Sequence, residues 1–238
     1  MKSAIFVAAA LAVGGCSAGK AESGGPMVSR DFPVGAFDKI EVSGPFDVAV
    51  TTGGTPQVNV RGSGKLVEKM VVEVEGSTLK IHPEKRSGWF GGFQWSGGKA
   101  QVSVSVPMLT AAAIAGSGDV QVDRINGQSF AGEVAGSGSL LVQDVRVQDL
   151  KLEIAGSGQV KAIGQAADAR YQIAGSGDIQ AGKVAAQQAR VEIAGSGNIV
   201  AHATKTAQVD IAGSGDVRVT GGGKCTVSKA GSGNVECS

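Results

Sequence analysis

The chain has 238 residues, 38 of them glycine, with aromatics at only 4% and a formal net charge of +1. So few large side chains exclude a thick globular core and favour thin stacked layers filled by small and β-branched residues. The balanced charge gives no electrostatic footprint for nucleic acid, so no nucleic-acid partner is expected.

Residues 1–15 read as a lipoprotein signal peptide, with Lys2, an apolar stretch over 5–13 and small residues leading to Cys16. The stretch is too short to span a bilayer. The run Val13-Gly14-Gly15-Cys16 resembles the lipobox of bacterial lipoproteins, which implies lipidation of Cys16 and a membrane held through the N-terminal lipid. An ordinary secretory signal with an incidental cysteine is the alternative. Acyl chains contribute about 0.8 kcal/mol per buried CH₂, enough for two or three of them to hold a soluble domain without a spanning helix. Ser17 follows the cysteine, and by the same resemblance a residue other than aspartate there favours the outer membrane. Residues 16–30, rich in Gly, Ser, Ala and Lys, form a flexible tether.

Residues 31–110 are expected to form an irregular N-terminal β cap with the first coils. The stretch from Val42 to Val48 matches the downstream repeat at its hydrophobic ends, its first glycine and its aspartate, so the first coil begins near Phe37. Strand-like runs follow at 57–60, 71–74, 78–81 and 101–106, with a helical turn around 66–70. Residues 87–99 hold Trp89, Phe90, Phe93 and Trp95 amid glycines. They are either an interaction patch for a glycan, peptide or lipid headgroup, or rings that fold over an open end of the stack.

Residues 111–238 carry a regular repeat. Ala-Gly-Ser-Gly starts at Ala115, Ala135, Ala155, Ala174, Ala194, Ala212 and Ala230, at spacings of 20, 20, 19, 20, 18 and 18. This predicts an all-β fold, a parallel β-helix or solenoid of about 18–20 residues per coil, and parallel coils joined by crossovers should wind right-handed. One residue before each motif stand Ile114, Val134, Ile154, Ile173, Ile193 and Ile211, broken only by Lys229; five after its first residue stand Val120, Leu140, Val160, Ile179, Ile199, Val217 and Val235. These columns predict the core. The glycines suit a corner repeated in every layer, and each motif serine is expected to bond the turn backbone and its counterpart one layer away.

Outward columns carry Glu133, Glu153, Glu192 and Asp210 beside Lys151, Arg170 and Arg190, which reads as a salt-bridged, solvated face. The residue after each motif is Asp119, Ser139, Gln159, Asp178, Asn198, Asp216 or Asn234. A polar ladder bonding the turn explains this row better than a calcium site. Cys225 and Cys237 sit in columns that look inward and predict a disulfide locking the final coil. The two histidines, His82 and His202, lie on unrelated elements. Neither a Ser/His/Asp machine nor a histidine metal site is expected, and no catalytic residue, metal or cofactor is assigned.

The ordered motifs FDKIEVSGPFDV, VEVEGSTLKI, VSVPML and the serial AGSGDV repeats resemble the bacterial DUF2807 family, labelled an autotransporter adhesin head or GIN domain. The resemblance runs from about residue 32 onward. It implies an exported right-handed β-helix and defines no catalytic residues. The functional expectation is a non-enzymatic envelope lipoprotein presenting a rigid rod for adhesion or for contact with a glycan or envelope protein. The alternatives are a carbohydrate-active β-helix enzyme, which the short spacers disfavour because such sites are built from long loops, and a purely structural or stress-response envelope protein.

Overall fold

The structure is a computed structural model that describes residues 26–84 and 100–238. Alternation of apolar and polar residues at period two makes nearly every element a strand. The N-terminal part holds β1 (Met27–Phe32), β2 (Lys39–Ser43), β3 (Phe46–Thr52), β4 (Gln57–Ser63), the single turn α1 (Gly64–Val67), β5 (Met70–Glu75), β6 (Thr78–Pro83) and β7 (Ala100–Val106). The repeat region continues with β8 (Ala111–Gly116), β9 (Asp119–Val122), β10 (Ile125–Asn126) and β11 (Ser129–Gly136). Long bent strands follow, β12 (Ser139–Gly156), β13 (Gln159–Gly175), β14 (Asp178–Gly195) and β15 (Asn198–Gly213), then β16 (Val217–Thr220), β17 (Lys224–Ala230) and β18 (Val235–Cys237).

From β8 onward each coil pairs in parallel with the next, so residues one repeat apart sit over one another. Ile154 registers with Ile173, Ile173 with Ile193 and Ile193 with Ile211. Within β12 the inward side chains fall into three runs, Leu140 and Val142, Val145 and Val147, then Leu150, Leu152 and Ile154, all buried. The core is therefore a thin column of Val, Ile, Leu and Ala enclosed by its own wall.

The N-terminal part is stacked out of chain order. The coil of β2 and β3 is flanked on one side by β8 and β9, and on the other by β6 and β7. The first coil in sequence is thus an inner layer in space. Beyond β6 and β7 the sheets end in antiparallel strands, β5 on β6 and β4 on β7, with β1 on β4. Leu66 and Val67 of α1 are buried.

Two different constraints select glycine at the repeated corner. The first motif glycine has positive φ in every copy, from +122° at Gly116 to +136° at Gly213, and Gly44 of the first coil, at +116°, occupies the same column. That is the region where L side chains are strained. The second motif glycine lacks room: a Cβ on Gly158 would lie 2.6 Å from the Gly138 carbonyl oxygen and 2.6 Å from Val134 Cγ1. The close approach lets corner backbones bond directly, Ser157 N–H donating to Gly136 O at 2.8 Å and Gln159 N–H to Gly138 O at 3.0 Å.

Two expectations need correction. The motif serines are exposed, and they engage the layer below through their backbone N–H, as at Ser137, Ser157, Ser176, Ser196 and Ser214, rather than through their hydroxyls. The positive-φ glycine turns the amide, not the side chain, toward the layer below. At the last coil the inward columns lose their cover: Val227 is 46% exposed, Cys237 is exposed, and Cys225 and Val235 are half-buried. Among the described residues, no further layer packs on that side.

Candidate functional site

The row after the glycine corner forms the expected polar ladder in two stretches, Asp119 to Ser139 and Asp178 to Asn234, with the Gln159 side chain between them bonded to neither. Ser139 Oγ donates to Asp119 Oδ1, and Asn198 Nδ2 donates to Asp178 Oδ1 at 2.9 Å. Higher up, the Asp216 backbone N–H donates to Asn198 Oδ1 at 3.4 Å and the Asn234 N–H to Asp216 Oδ1 at 2.9 Å. Carboxylates alternate with hydroxyl or amide groups at these layers, so a neighbour supplies the donor each acid needs. Among the described residues no group of three or more His, Cys, Asp or Glu is arranged to hold a metal ion.

The face carrying the acidic and basic columns is partly salt-bridged. Lys151 Nζ meets Glu153 Oε2 at 2.8 Å, Arg190 bonds Glu192, and Arg190 Nη2 lies 3.8 Å from Asp210 Oδ2. Exposed pairs of this kind contribute little to stability. Between the column of Lys151, Arg170 and Arg190 and the column of Asp149, Asp168 and Gln188 runs a groove of about 840 Å³ that crosses β12, β13, β14, β15 and β17. Leu150, Ala169, Ala189 and Ala207 line its floor. The sequence reading treated this face as a solvated surface and missed the groove. The available signal was the same inward column, in which Phe130 and Leu150 give way to three successive alanines.

Of the sequence-assigned residues, Cys225 and Cys237 are joined by a disulfide with Cα atoms 6.5 Å apart. Cys16 and the aromatic group Trp89, Phe90, Phe93 and Trp95 lie outside the described residues. His82 sits on β6, 3.2 Å from Glu73 Oε1, while His202 sits on β15 with Nδ1 3.1 Å from Thr220 Oγ1. The histidines are thus held apart on different strands. Tyr171 is fully buried in the column, its hydroxyl has no hydrogen-bond partner among the described residues, and burial pushes its phenol well above its ordinary value. Among the described residues no helix is long and apolar enough to cross a membrane.

Comparison with known proteins agrees with this architecture. The model of the family described as "Putative auto-transporter adhesin, head GIN domain" (DUF2807) matches residues 36–223. A "putative adhesin" of Bacteroides fragilis superposes with a TM-score of 0.81 at 24% identity, covering 90% of this chain and 97% of that one. A "putative lipid binding protein" of Parabacteroides distasonis gives 0.73 at 26% identity, covering 91% and 98%. A "putative adhesin" of Parabacteroides merdae gives 0.69 at 20% identity, covering 91% and 98%. None of these is described as an enzyme. No curated protein matches the chain.

Proposed function

The chain belongs to the DUF2807 head GIN domain family, and on that footing we propose that it is an exported lipoprotein, anchored through Cys16 in the outer membrane, whose solenoid acts as a non-enzymatic rod for adhesion or contact with another envelope component. The observation that carries this reading is the glycine corner. Gly44, Gly116, Gly136, Gly156, Gly175, Gly195, Gly213 and Gly231 stand in one column, and backbone bonds between successive layers make the stack stiff along its axis. Among the described residues of the repeat, spacers this short leave no long loops from which a catalytic cleft is assembled. A stiff rod suits the display of a surface at a distance from the membrane; the tether expected over 16–30 is corrected at its end, because residues 27–30 belong to β1 and pair with β4.

Two measurements test the reading. Cells expressing the chain should incorporate labelled fatty acid into it and retain it in the outer-membrane fraction, and Cys16→Ser should abolish both. Cells lacking the chain should lose attachment to their surface or partner cells, and expression of the intact chain should restore it. Undiminished attachment in the deletion strain would remove adhesion from the account, whatever the outcome of the labelling.

A further inference from the structure

We propose that the groove across β12, β13, β14, β15 and β17 is a binding site for an extended, uncharged polysaccharide; the inference rests on the adhesive reading above and names its ligand class. The groove has a structural origin in the sequence. It begins one layer beyond Phe130, where the inward column passes through Leu150 to Ala169, Ala189 and Ala207. These alanines are 4%, 5% and 3% exposed, so their methyl groups turn into the core and the floor of the groove is the strand backbone between two outward walls. The groove runs across five layers, roughly 19 Å at the usual spacing of paired strands.

The two walls present polar groups at every layer. One carries Asp149, Asp168, Gln188, Thr206 and Lys224, and the other Lys151, Arg170, Arg190, Gln208 and Thr226. Some are already engaged: Lys151 with Glu153, and Arg190 with Glu192 and Gln208. The side chains of Asp149, Asp168, Arg170 and Gln188 have no hydrogen-bond or ion-pair partner among the described residues. Arg170 is left free because its layer carries Gln172 where adjacent layers carry Glu153 and Glu192. The middle of the groove therefore holds unused donors and acceptors on facing walls.

Charge and shape decide among the occupants. The lining charges without an ion-pair partner are Asp149 and Asp168 against Arg170 and Lys224, which cancel. A polyanion such as nucleic acid or a polyuronate would run past two carboxylates, and like charges select against it. An extended peptide binds sheets by adding to an edge, and here the backbone groups of the inner strands are spent on their neighbours. The floor gives a peptide side chain or an acyl tail no deep apolar pocket. What the groove offers is a polar side chain on each side at every layer, about every 4.8 Å, and the carboxylates, amides and guanidinium groups among them have the bidentate geometry that adjacent hydroxyls can satisfy. A chain of sugar rings carries hydroxyls along both edges. Individual contacts of this kind are weak, and many tethered copies on one cell would raise the effective affinity.

The test uses the full chain in detergent and affinity electrophoresis through gels containing dextran, mannan, xylan or laminarin, with alginate and polyglutamate as polyanions. The expected result is retardation by at least one neutral polymer, weakened tenfold or more by Arg170→Ala and by Asp168→Ala at unchanged melting temperature. Gln188→Ala serves as a second variant should either of these fail to fold, and it should weaken retardation in the same way. Retardation by the polyanions alone, or neutral-polymer binding that the groove variants leave untouched, overturns the proposal. No retardation by any polymer, from a chain that still restores attachment to deletion cells, overturns it too and leaves the adhesive reading standing.

Discussion

The glycine corner and the corner opposite it do different work in the same coil. At the first, every layer from Gly44 to Gly231 keeps one geometry, and the pairing register runs unbroken into it, from Ile154 to Gly156 against Ile173 to Gly175. At the second, register shifts occur between Val142 and Val145 and again between Lys161 and Ile163. A larger irregularity spans Gln180 to Gln188 where β14 meets β15. The change in repeat spacing from 20 to 19 and later to 18 residues is therefore absorbed at the far corner. One corner fixes the stack and the other takes up differences in coil length, because the first brings backbone against backbone too closely to admit a Cβ in every motif layer, whereas the second does so only at single glycines such as Gly164 against Val145.

The largest predicted effect breaks that asymmetry. Gly156→Ala places a side chain at φ +125° and 2.5 Å from the Gly136 carbonyl oxygen, and should cost about 4 kcal/mol or more in denaturant unfolding. A single glycine inserted between Gln143 and Asp144 should cost less than about 1 kcal/mol. Equal losses at both sites would refute the division of labour. Next in size, Cys225→Ser opens a loop with a sequence separation of 12 and should cost about 2–3 kcal/mol. In a layered stack this loss stays local, so amide exchange should accelerate in β17 and β18 and not in β12.

The smallest effect is at Tyr171. Its unpartnered buried hydroxyl costs stability, and Tyr171→Phe should raise unfolding free energy by about 1 kcal/mol. The folded-state pKa is raised above the ordinary 10.0, so below pH 10 the phenol is protonated in both states. As pH rises past 10, only the unfolded chain releases the proton, and stability falls. Tyr171 is the chain's single tyrosine, so tyrosinate absorbance reports it directly. Ionisation near pH 10 in the folded protein would contradict its burial.

Much of this was readable from the chain itself. The columns from Ile114 to Ile211 and from Val120 to Val217 are buried as their spacing predicts, because identical positions in identical layers share one environment. The ladder stretches from Asp119 to Ser139 and from Asp178 to Asn234 were legible for the same reason. What escaped were features set by a layer's neighbours rather than by its own residues. Val227 and Cys237 match the inward pattern, yet nothing among the described residues covers them. The motif serines match a hydrogen-bonding role, yet the glycine before each one directs the amide downward instead. The placement of β6 and β7 beneath β2 and β3 depends on which edge a later strand selects, and a period-two pattern does not encode that choice. The groove lies over a column read only for its hydrophobicity.

The interleaved first coil also sets a timetable for assembly. Asp38 and Thr110 are bonded across a sequence separation of 72, whereas Arg218 and Glu236 meet across 18. A chain threaded across a membrane from its N-terminus must hold β2 and β3 unsatisfied on both sides until β6 to β9 have emerged. Closing that long loop is the slow event. Once it is complete, each later coil finds a finished template and needs only its own residues to add one more layer. If the chain is exported as proposed, secretion and folding are coupled at a single early checkpoint, after which growth of the rod keeps pace with delivery of the chain.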